Sequence, residues 1–351
     1  MGLVMSLFEA EVLPGLKPFA AAELNRRLGA HARIVPLERE DSLPFSYGGS
    51  PSHLASFSTI VAAYWVLNFE VPRPRALVGH EHLSRILRAV EDLRGLHPAG
   101  AFRTFRFSAA GRDSSVFERL AGEIRSATHL EPEIDEADLV IRVRPALLHA
   151  GGWEVLLRLT PRPLSARAWR VCDYPGALNA TIASAMIELT HPTPQDRFLN
   201  PMCGSGTLLV ERLLRGPAAR VSGGDIDNQV LACARENLTA AGLLGQADLH
   251  WMDALHIDAD PASFDTVCVD PPWGQRVGER ETLESLYSEL LEELARVTCP
   301  GGRLVLVTHA IKRFEARLSA AAGLWRPVSV YPVFQGGLHP RIYVCERLPG
   351  S

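Results

Sequence analysis

Four short polar segments in the second half of the chain follow apolar runs, and each could contact a ligand. The first lies at 200–207, where Gly204 and Gly206 allow backbone turns and a close ligand approach that a Cβ atom would block. A glycine pair after a strand also suits a plain tight turn or a dinucleotide site. Leu209 stands where a strict dinucleotide fingerprint needs a third glycine, which argues against a nicotinamide cofactor.

Two acidic residues follow the next two apolar runs. Asp225 lies about twenty residues after the glycine turn, where a carboxylate can accept hydrogen bonds from both hydroxyls of a ribose. Asp227, or Asn228, suits the N-cap of the next helix better than a ligand site. Asp253 ends the third segment, where it could accept a hydrogen bond from an adenine amino group, although by itself it is simply an acid in a loop.

The most informative segment is Asp270-Pro271-Pro272-Trp273. Two prolines directly after an apolar strand end the ladder and fix an extended turn. Such a turn would aim the Asp270 carboxylate and the Pro271 carbonyl at one point, where a planar amine with two N–H groups fits. Trp273 offers a flat face for a base. A packed tryptophan in a β-turn would explain this segment alone, but four polar segments in order at successive strand ends favour a site.

The elements around these segments alternate between short apolar strands and amphipathic helices. Strands are predicted at 197–200, 220–225, 248–252, 266–269, 303–308, 327–333 and 342–346, and helices at 207–214, 228–241, 282–297 and 312–321. This alternation predicts a doubly wound, mostly parallel sheet. Ligands bind at the carboxyl ends of the strands in such a sheet, where all four segments would lie.

The first half of the chain has a mixed pattern. Its first 50 or so residues read as strand, helix and strand, with the helix at 16–28, and a turn-rich stretch at 44–51 indicates a boundary. From about 55 to 165, helices at 81–93 and near 116–124 are interspersed with strands at 102–107, 139–143 and 155–159. The sequence therefore predicts two small α+β units before the parallel sheet.

Charge is distributed unevenly along the chain. Of 36 basic and 40 acidic residues, those within 1–170 give a balance of +2 and those within 171–351 a balance of −6. Residues 94–125 hold six arginines against three acids. Arginine suits bidentate phosphate contact and stacking on bases. A general preference for arginine codons explains the totals equally well, but it does not explain the asymmetry.

The six cysteines are widely spaced and form no CxxC pair or His/Cys cluster. The sequence therefore indicates neither a structural zinc nor a disulfide framework. We expect most of these cysteines to be small core residues of a protein in a reducing cytoplasm. No apolar stretch reaches the length needed to cross a bilayer.

Residues 175–351 resemble the class I methyltransferases with an (N/D)PP(Y/W) motif, which methylate exocyclic amines of bases. The segments Asn200–Thr207, Gly224–Asp227 and Asp270–Gly274, with Arg276, resemble those of RNA guanine-N2 methyltransferases. Upstream, 163–170 resembles the end of a THUMP domain, and 177–183 resembles the linker into the catalytic domain. Two positions depart from the family pattern. Asn200 stands where Asp is usual, and Ala168 stands where Gly is usual.

The resemblance implies an α/β fold with several parts. These are an N-terminal ferredoxin-like α+β unit at 1–54, a THUMP RNA-binding domain at 55–165, a linker at 166–180, and a Rossmann-like methyltransferase domain with a parallel-dominated seven-stranded sheet at 181–351. The implied reaction transfers a methyl group from S-adenosylmethionine to the N2 amine of a guanosine in tRNA, in the acceptor-stem region at position six. We expect a monomer without a metal.

The resemblance also implies three groups of site residues. The catalytic residues would be Asp270, Pro271, Pro272 and Trp273. The S-adenosylmethionine contacts would be Asn200, Pro201, Cys203, Gly204, Ser205, Gly206, Thr207, Asp225, Ile226, Asp253, Ala254 and Asp270. The RNA contacts would be Arg103, Arg106, Arg112, Arg167, Arg170 and Arg276.

Other readings stay open at this point. The same catalytic motif occurs in methyltransferases that act on rRNA guanine N2, on nucleic-acid adenine N6 and on DNA. The THUMP-like segment at 163–170 argues against these alternatives. A non-catalytic RNA-binding protein with a decayed catalytic domain is the remaining alternative. The intact set of Gly204, Gly206, Asp225, Asp253 and Asp270 argues against it.

Overall fold

The computed structural model describes residues 5–273 and 280–349. The chain forms two compact units. The first comprises Met1–Val12 and Ala20–Ser165, and the second comprises Leu13–Phe19 and Ala166–Ser351. The short segment at 13–19 thus belongs to the second unit, although it lies near the N-terminus.

The first unit is built on one eight-stranded sheet. Its strands are β1 (Ser6–Glu11), β2 (Ala32–Ile34), β3 (Ser42–Tyr47), β4 (Ala62–Phe69), β5 (Thr104–Ala109), β6 (Glu131–Pro132), β7 (Leu139–Pro145) and β8 (Trp153–Arg158). Their order in the sheet is β2-β3-β1-β4-β8-β7-β5-β6. The helices are α1 (Lys17–Leu28), which begins in the 13–19 segment, α2 (His80–Arg94) and α3 (Ser115–Thr128).

Apolar periodicity explains these elements. In β5, Phe105 and Phe107 are buried and Arg106 between them is half-buried, as expected for a strand with one face on the core. Strand β4 pairs with β1 on one side and with β8 on the other. Residues on both sides of position 54 therefore share one sheet, and the division into a 1–54 unit and a 55–165 domain stays a prediction.

The second unit contains the predicted seven-stranded sheet. Its strands are β9 (Arg197–Asn200), β10 (Arg220–Asp225), β11 (Asp248–Trp251), β12 (Phe264–Val269), β13 (Thr298–Thr308), β14 (Trp325–Pro332) and β15 (Arg341–Arg347). Its helices are α4 (Ala180–Leu189), α5 (Thr207–Leu214), α6 (Asn228–Ala240), α7 (Arg280–Val297) and α8 (Ile311–Ala320). The order is β11-β10-β9-β12-β13-β15-β14, in which β15 runs antiparallel to β13 and β14 and the other pairs are parallel. The predicted fold class is confirmed.

Helices cover both faces of this sheet. Cys268, Val305 and Val307 share a core with residues of α4, α5 and α6. The residues that alternate with them, such as Val267 and Leu306, share a core with α7 and α8. Burial on both faces explains why these strands read as continuous apolar runs, and it leaves the strand ends as the places where polar side chains can act.

One expectation about the cysteines was wrong. Cys172 and Cys233 form a disulfide across 61 residues of sequence, which joins the segment before α4 to α6. The other four cysteines are free. Short spacings and clusters in sequence could not reveal this pair, because the fold alone brings the two residues together. Among the described residues, no helix is long and apolar enough to cross a membrane.

We predict that the disulfide is present in the protein purified without reductant. Thiol titration in denaturant should then give four free thiols per chain, and six after reduction. Closing a loop of this length restricts the unfolded chain, so reduction should lower the free energy of unfolding by up to about 4 kcal/mol in a urea titration. The Cys233→Ser variant should not respond to reductant. Six thiols before reduction would contradict the pairing.

Candidate active site

The predicted site segments meet at the carboxyl ends of the strands of the second sheet. Asn200 and Asp225 end β9 and β10, Asp253 lies two residues after β11, and Asp270 follows β12 directly. These four strands are parallel neighbours, so their carboxyl ends lie side by side. The fold therefore brings together the predicted catalytic and cofactor residues of 200–273.

The glycine turn after β9 is fastened to the end of β10. Gly204 and Gly206 adopt left-handed backbone conformations, with φ of 52° and 81°, which glycine tolerates far better than other residues. The Gly204 N–H donates to Asp225 Oδ2 at 3.0 Å, and the Cys203 N–H donates to the Gly224 carbonyl at 2.8 Å. A Cβ atom at Gly204 would meet no described atom within 4 Å, so the turn borders open space in which a ligand fits.

Asp225 is held by two backbone donors. Besides the Gly204 bond, its Oδ1 accepts the N–H of Asp227 at 3.1 Å. Each carboxylate oxygen can accept more than one hydrogen bond, so ribose hydroxyls can still bind there. Asp227 caps α6 by accepting the N–H of Gln229 at 2.8 Å, as predicted. At the end of β10, Asp227 thus caps the following helix, and Asp225 is held where it can contact a ligand.

Two exposed apolar side chains lie next to Asp225, and one of them was missed at the sequence level. Ile226 is 63% exposed, and Trp251, at the end of β11, is 55% exposed. The Trp251 indole N–H donates to the Ile226 carbonyl at 2.9 Å, which fixes the ring beside Ile226. Exposed apolar surface of this kind suits a flat heterocycle. An aromatic residue two positions before Asp253 was the available signal.

Several predicted cofactor residues are buried and support the turn. Asn200 is fully buried and, with its amide nitrogen toward the backbone, donates to the Met202 and Cys268 carbonyls at 3.2 and 3.1 Å. An ionised Asp at this position could not donate, which gives a physical reason for the departure from the family pattern. Pro201, Cys203, Ser205, Gly206, Thr207 and Ala254 are also buried.

The Asp270 carboxylate is set by burial and by Trp273. The Trp273 indole N–H donates to Asp270 Oδ1 at 2.9 Å, a contact that the sequence did not indicate. Burial raises the pKa of Asp270 from 3.8 to about 7, and the bond from Trp273 opposes that rise. A carboxyl with a pKa near neutrality can accept hydrogen bonds when charged and can also exchange a proton.

A hydroxyl pair anchors the segment that carries Asp270. The Tyr287 hydroxyl donates to the Pro272 carbonyl at 3.3 Å and lies 2.7 Å from Thr308 Oγ1 at the end of β13. Tyr287 is fully buried in α7. The apolar spacing that predicts this helix does not distinguish Tyr287 from its other core residues, so the sequence carries no signal for this contact.

The predicted RNA-contact arginines separate into three groups. Arg103 and Arg112 are exposed and Arg106 is half-buried, all on or near β5 of the first unit. Arg276 lies outside the described residues.

Arg167 and Arg170 are committed to contacts inside the second unit. The Arg167 side chain is 9% exposed and pairs with buried Glu211 at 2.7 Å. Arg170 is 15% exposed and donates to Thr207 Oγ1 and to the Leu178 carbonyl. We therefore correct the expectation for these two residues, since their guanidinium groups support the linker and the glycine turn rather than offering a surface to RNA.

Comparisons with known proteins find methyltransferases. Residues 167–341 match the family model described as "RMKL-like, methyltransferase domain". The chain is 32% identical over 305 residues to the tRNA (guanine(6)-N2)-methyltransferase of Thermus thermophilus, covering 78% of this chain and 88% of that protein. It is also 32% identical to the mouse tRNA (guanine(6)-N(2))-methyltransferase THUMP3, over 71% of this chain but only half of that longer protein.

Two solved structures share the fold over nearly the whole chain. The crystal structure of TrmN from Thermus thermophilus aligns with a TM-score of 0.77 at 24% identity, covering 97% of this chain and 99% of that one. The structure of SMU.472, described as a methyltransferase complexed with SAH, aligns with a TM-score of 0.69 at 17% identity, covering 100% and 99%.

Asp270→Asn should stabilise the protein, and more so at high pH. The folded-state pKa of Asp270 lies above its unfolded value, so the fold disfavours the charged form and loses stability as pH rises from about 4 to about 7. An Asn side chain does not ionise in this range, so the variant does not lose stability in this way as the pH rises. The gain in the free energy of unfolding of Asp270→Asn over the parent should therefore be larger at pH 8 than at pH 5. An equal gain at both pH values would contradict a raised pKa.

Proposed function

The chain belongs to the family of tRNA guanine-N2 methyltransferases, and on that basis we propose the reaction and the roles of its residues. It transfers a methyl group from S-adenosylmethionine to the exocyclic N2 amine of a guanosine in tRNA, in the acceptor-stem region at position six. The observation that carries the proposal is the placement of the Asp270–Trp273 segment on the strand next to the glycine turn. The names of the relatives supply the nucleotide and the position.

The cradle after β9 and β10 has the features that the cofactor needs. Asp225 takes the ribose hydroxyls, since its two backbone donors already hold the carboxylate in place. Ile226 and Trp251 flank the adenine ring, and Asp253 accepts from its amino group. Gly204 leaves room for the amino-acid part of the cofactor, and Gly206 lets the turn pack closely against Ala234 of α6. Asn200, Pro201, Cys203, Ser205, Thr207 and Ala254 maintain this surface from beneath.

Asp270, with the Pro271 carbonyl, positions the acceptor amine. S-adenosylmethionine supplies an already reactive methyl group, so the protein contributes mainly orientation. The N2 lone pair of guanine is delocalised into the ring. Accepting its two N–H bonds returns electron density to the nitrogen and aligns it for attack. As the N–C bond forms, the bond between the methyl carbon and the sulfonium sulfur breaks, and a neutral thioether leaves. A proton must also leave the nitrogen, and a carboxylate with a pKa of about 7 is suited to take it.

Trp273 has two roles in this proposal. Its ring receives the flipped base by stacking, and its N–H holds the Asp270 carboxylate. Because one side chain does both, the plane of the base and the direction of the carboxylate are set together.

We assign tRNA capture to the first unit, with a THUMP domain at 55–165. Arg103, Arg106 and Arg112 extend from or beside β5, and no described carboxylate pairs with Arg103 or Arg106. The −6 balance of residues 171–351 would repel RNA at a distance, so phosphate contacts must come from elsewhere in the chain.

Incubation with S-adenosylmethionine and unmodified tRNA, followed by nucleoside mass spectrometry, tests the reaction. We expect N2-methylguanosine, mapped to position six by fragment analysis.

Asp270→Ala should abolish product and retain cofactor affinity, because it removes an amine contact. Asp225→Ala should weaken the affinity by about 1–3 kcal/mol in calorimetry, because it removes charge-assisted bonds. Methylation of adenosine, or an active Asp270→Ala enzyme, would overturn the assignment.

Replacing Arg103, Arg106 and Arg112 together by Ala should weaken tRNA binding and flatten its salt dependence. Each phosphate contact contributes a slope of about −0.7 to −0.9 in log affinity against log salt, so losing three should reduce the slope by about 2. The matched control replaces Arg33, Arg73 and Arg88, exposed arginines of the same unit, and changes net charge equally. Equal losses in both triple variants would mean that only overall charge matters.

A further inference from the structure

His309 stands beside the amine-binding segment without a role in the reaction described above. It follows β13 directly, and β13 is the parallel neighbour of β12, which leads into Asp270. The ring centroids of His309 and Trp273 are 6.3 Å apart, with the rings tilted by 44°. Thr308 and the Pro272 carbonyl meet at the Tyr287 hydroxyl, so the end of β13 is tied to the segment that His309 borders.

The imidazole has an unsatisfied polar atom. Its Nδ1 is buried and has no hydrogen-bond partner among the residues that the structure describes. Buried polar atoms in folded proteins nearly always have a partner, because an unmet hydrogen bond costs free energy. A lone ring nitrogen beside Trp273 is therefore placed to bond a group that arrives with the substrate.

The edge of guanine offers a matching group. Beside the N2 amine, guanine carries N1 with its proton, and a neutral imidazole nitrogen can accept a hydrogen bond from it. Adenine carries an unprotonated N1 beside its own amine, which would face the same nitrogen lone pair to lone pair. An acceptor beside Trp273, whose indole donates to Asp270, therefore favours guanine over adenine, a distinction that Asp270 and Pro271 alone cannot make.

We propose that His309 is a specificity-determining residue whose Nδ1 accepts a hydrogen bond from N1–H of the guanine whose N2 amine lies at Asp270. The inference rests on the proposed function. It adds to that function a contact that reads the base, separate from the contacts that hold the amine. The simplest competing role, packing against Trp273, would affect every base that stacks there.

The test compares tRNA carrying guanosine at the target position with tRNA carrying 2-aminopurine riboside there. The analogue keeps the N2 amine but has no proton on N1. For the parent enzyme, kcat/KM should favour guanosine by about 10- to 100-fold, the range expected when a buried hydrogen bond is lost. His309→Ala should lower kcat/KM for guanosine by a similar factor and leave that for the analogue nearly unchanged.

Three further variants keep the result interpretable. His309→Asn retains a side-chain acceptor and should recover most of the preference for guanosine. His309→Phe keeps a ring against Trp273 but has no acceptor, so it should lose the preference, and it replaces the Ala variant should that fail to fold. His191→Asn changes a histidine after α4 at the opposite edge of the sheet, with a left-handed φ of 55° that Asn tolerates, and should leave both rates unchanged.

The outcomes separate the two proposals. If His309→Ala lowers both rates by the same factor, or leaves the preference intact, His309 only packs against Trp273 and the inference is overturned. If the parent enzyme methylates neither substrate, the proposed function itself fails. Loss of the preference in His309→Ala, with cofactor affinity by calorimetry unchanged, supports the contact.

Discussion

The site depends on one carboxylate that joins three backbone segments. Asp225 accepts N–H bonds from Gly204 in the turn after β9 and from Asp227 at the start of α6, while it ends β10 itself. Parallel strand pairing brings these segments to one edge, but pairing alone does not set the shape of the loops. A carboxylate that accepts from two backbone donors does, and its oxygens can still accept further hydrogen bonds. The rigidity of the turn and the capacity to bind hydroxyls therefore come from the same group.

The second carboxylate of the site, Asp270, is less well supplied with hydrogen-bond donors than Asp225. Within residues 5–273 and 280–349, Asp270 receives one side-chain donor, the Trp273 indole, and burial raises its pKa to about 7. A carboxylate with so few donors is incompletely satisfied, which disfavours its charged form in the folded protein. An amine with two N–H groups would supply what is missing. The same incompleteness that costs stability thus creates a preference for a donor-rich ligand. The contact proposed for His309 would apply the same principle to the neighbouring edge of the base.

Local pattern predicted most of the fold, and long-range pairing accounts for what it missed. The predicted bounds of β9, β10 and α5 match the structure, because short apolar runs and glycine or capping residues mark their ends. Asp227 was predicted to cap α6 for the same local reason. No local pattern reveals that Cys172 faces Cys233, or that the Tyr287 hydroxyl reaches the Pro272 carbonyl. Such partners are set by how distant elements pack.

The linker illustrates how resemblance and contacts can differ. Residues 163–170 resemble the end of an RNA-binding domain, yet Arg167 pairs with Glu211 of α5. Further on, Asn237 of α6 accepts from the N–H groups of Val171 and Cys172 and donates to the Ser205 carbonyl in the glycine turn. One buried amide thus fixes both the linker and the turn. A displacement of Val171 or Cys172 would therefore disturb the bond from Asn237 to the Ser205 carbonyl, so the linker and the glycine turn are coupled through one buried side chain.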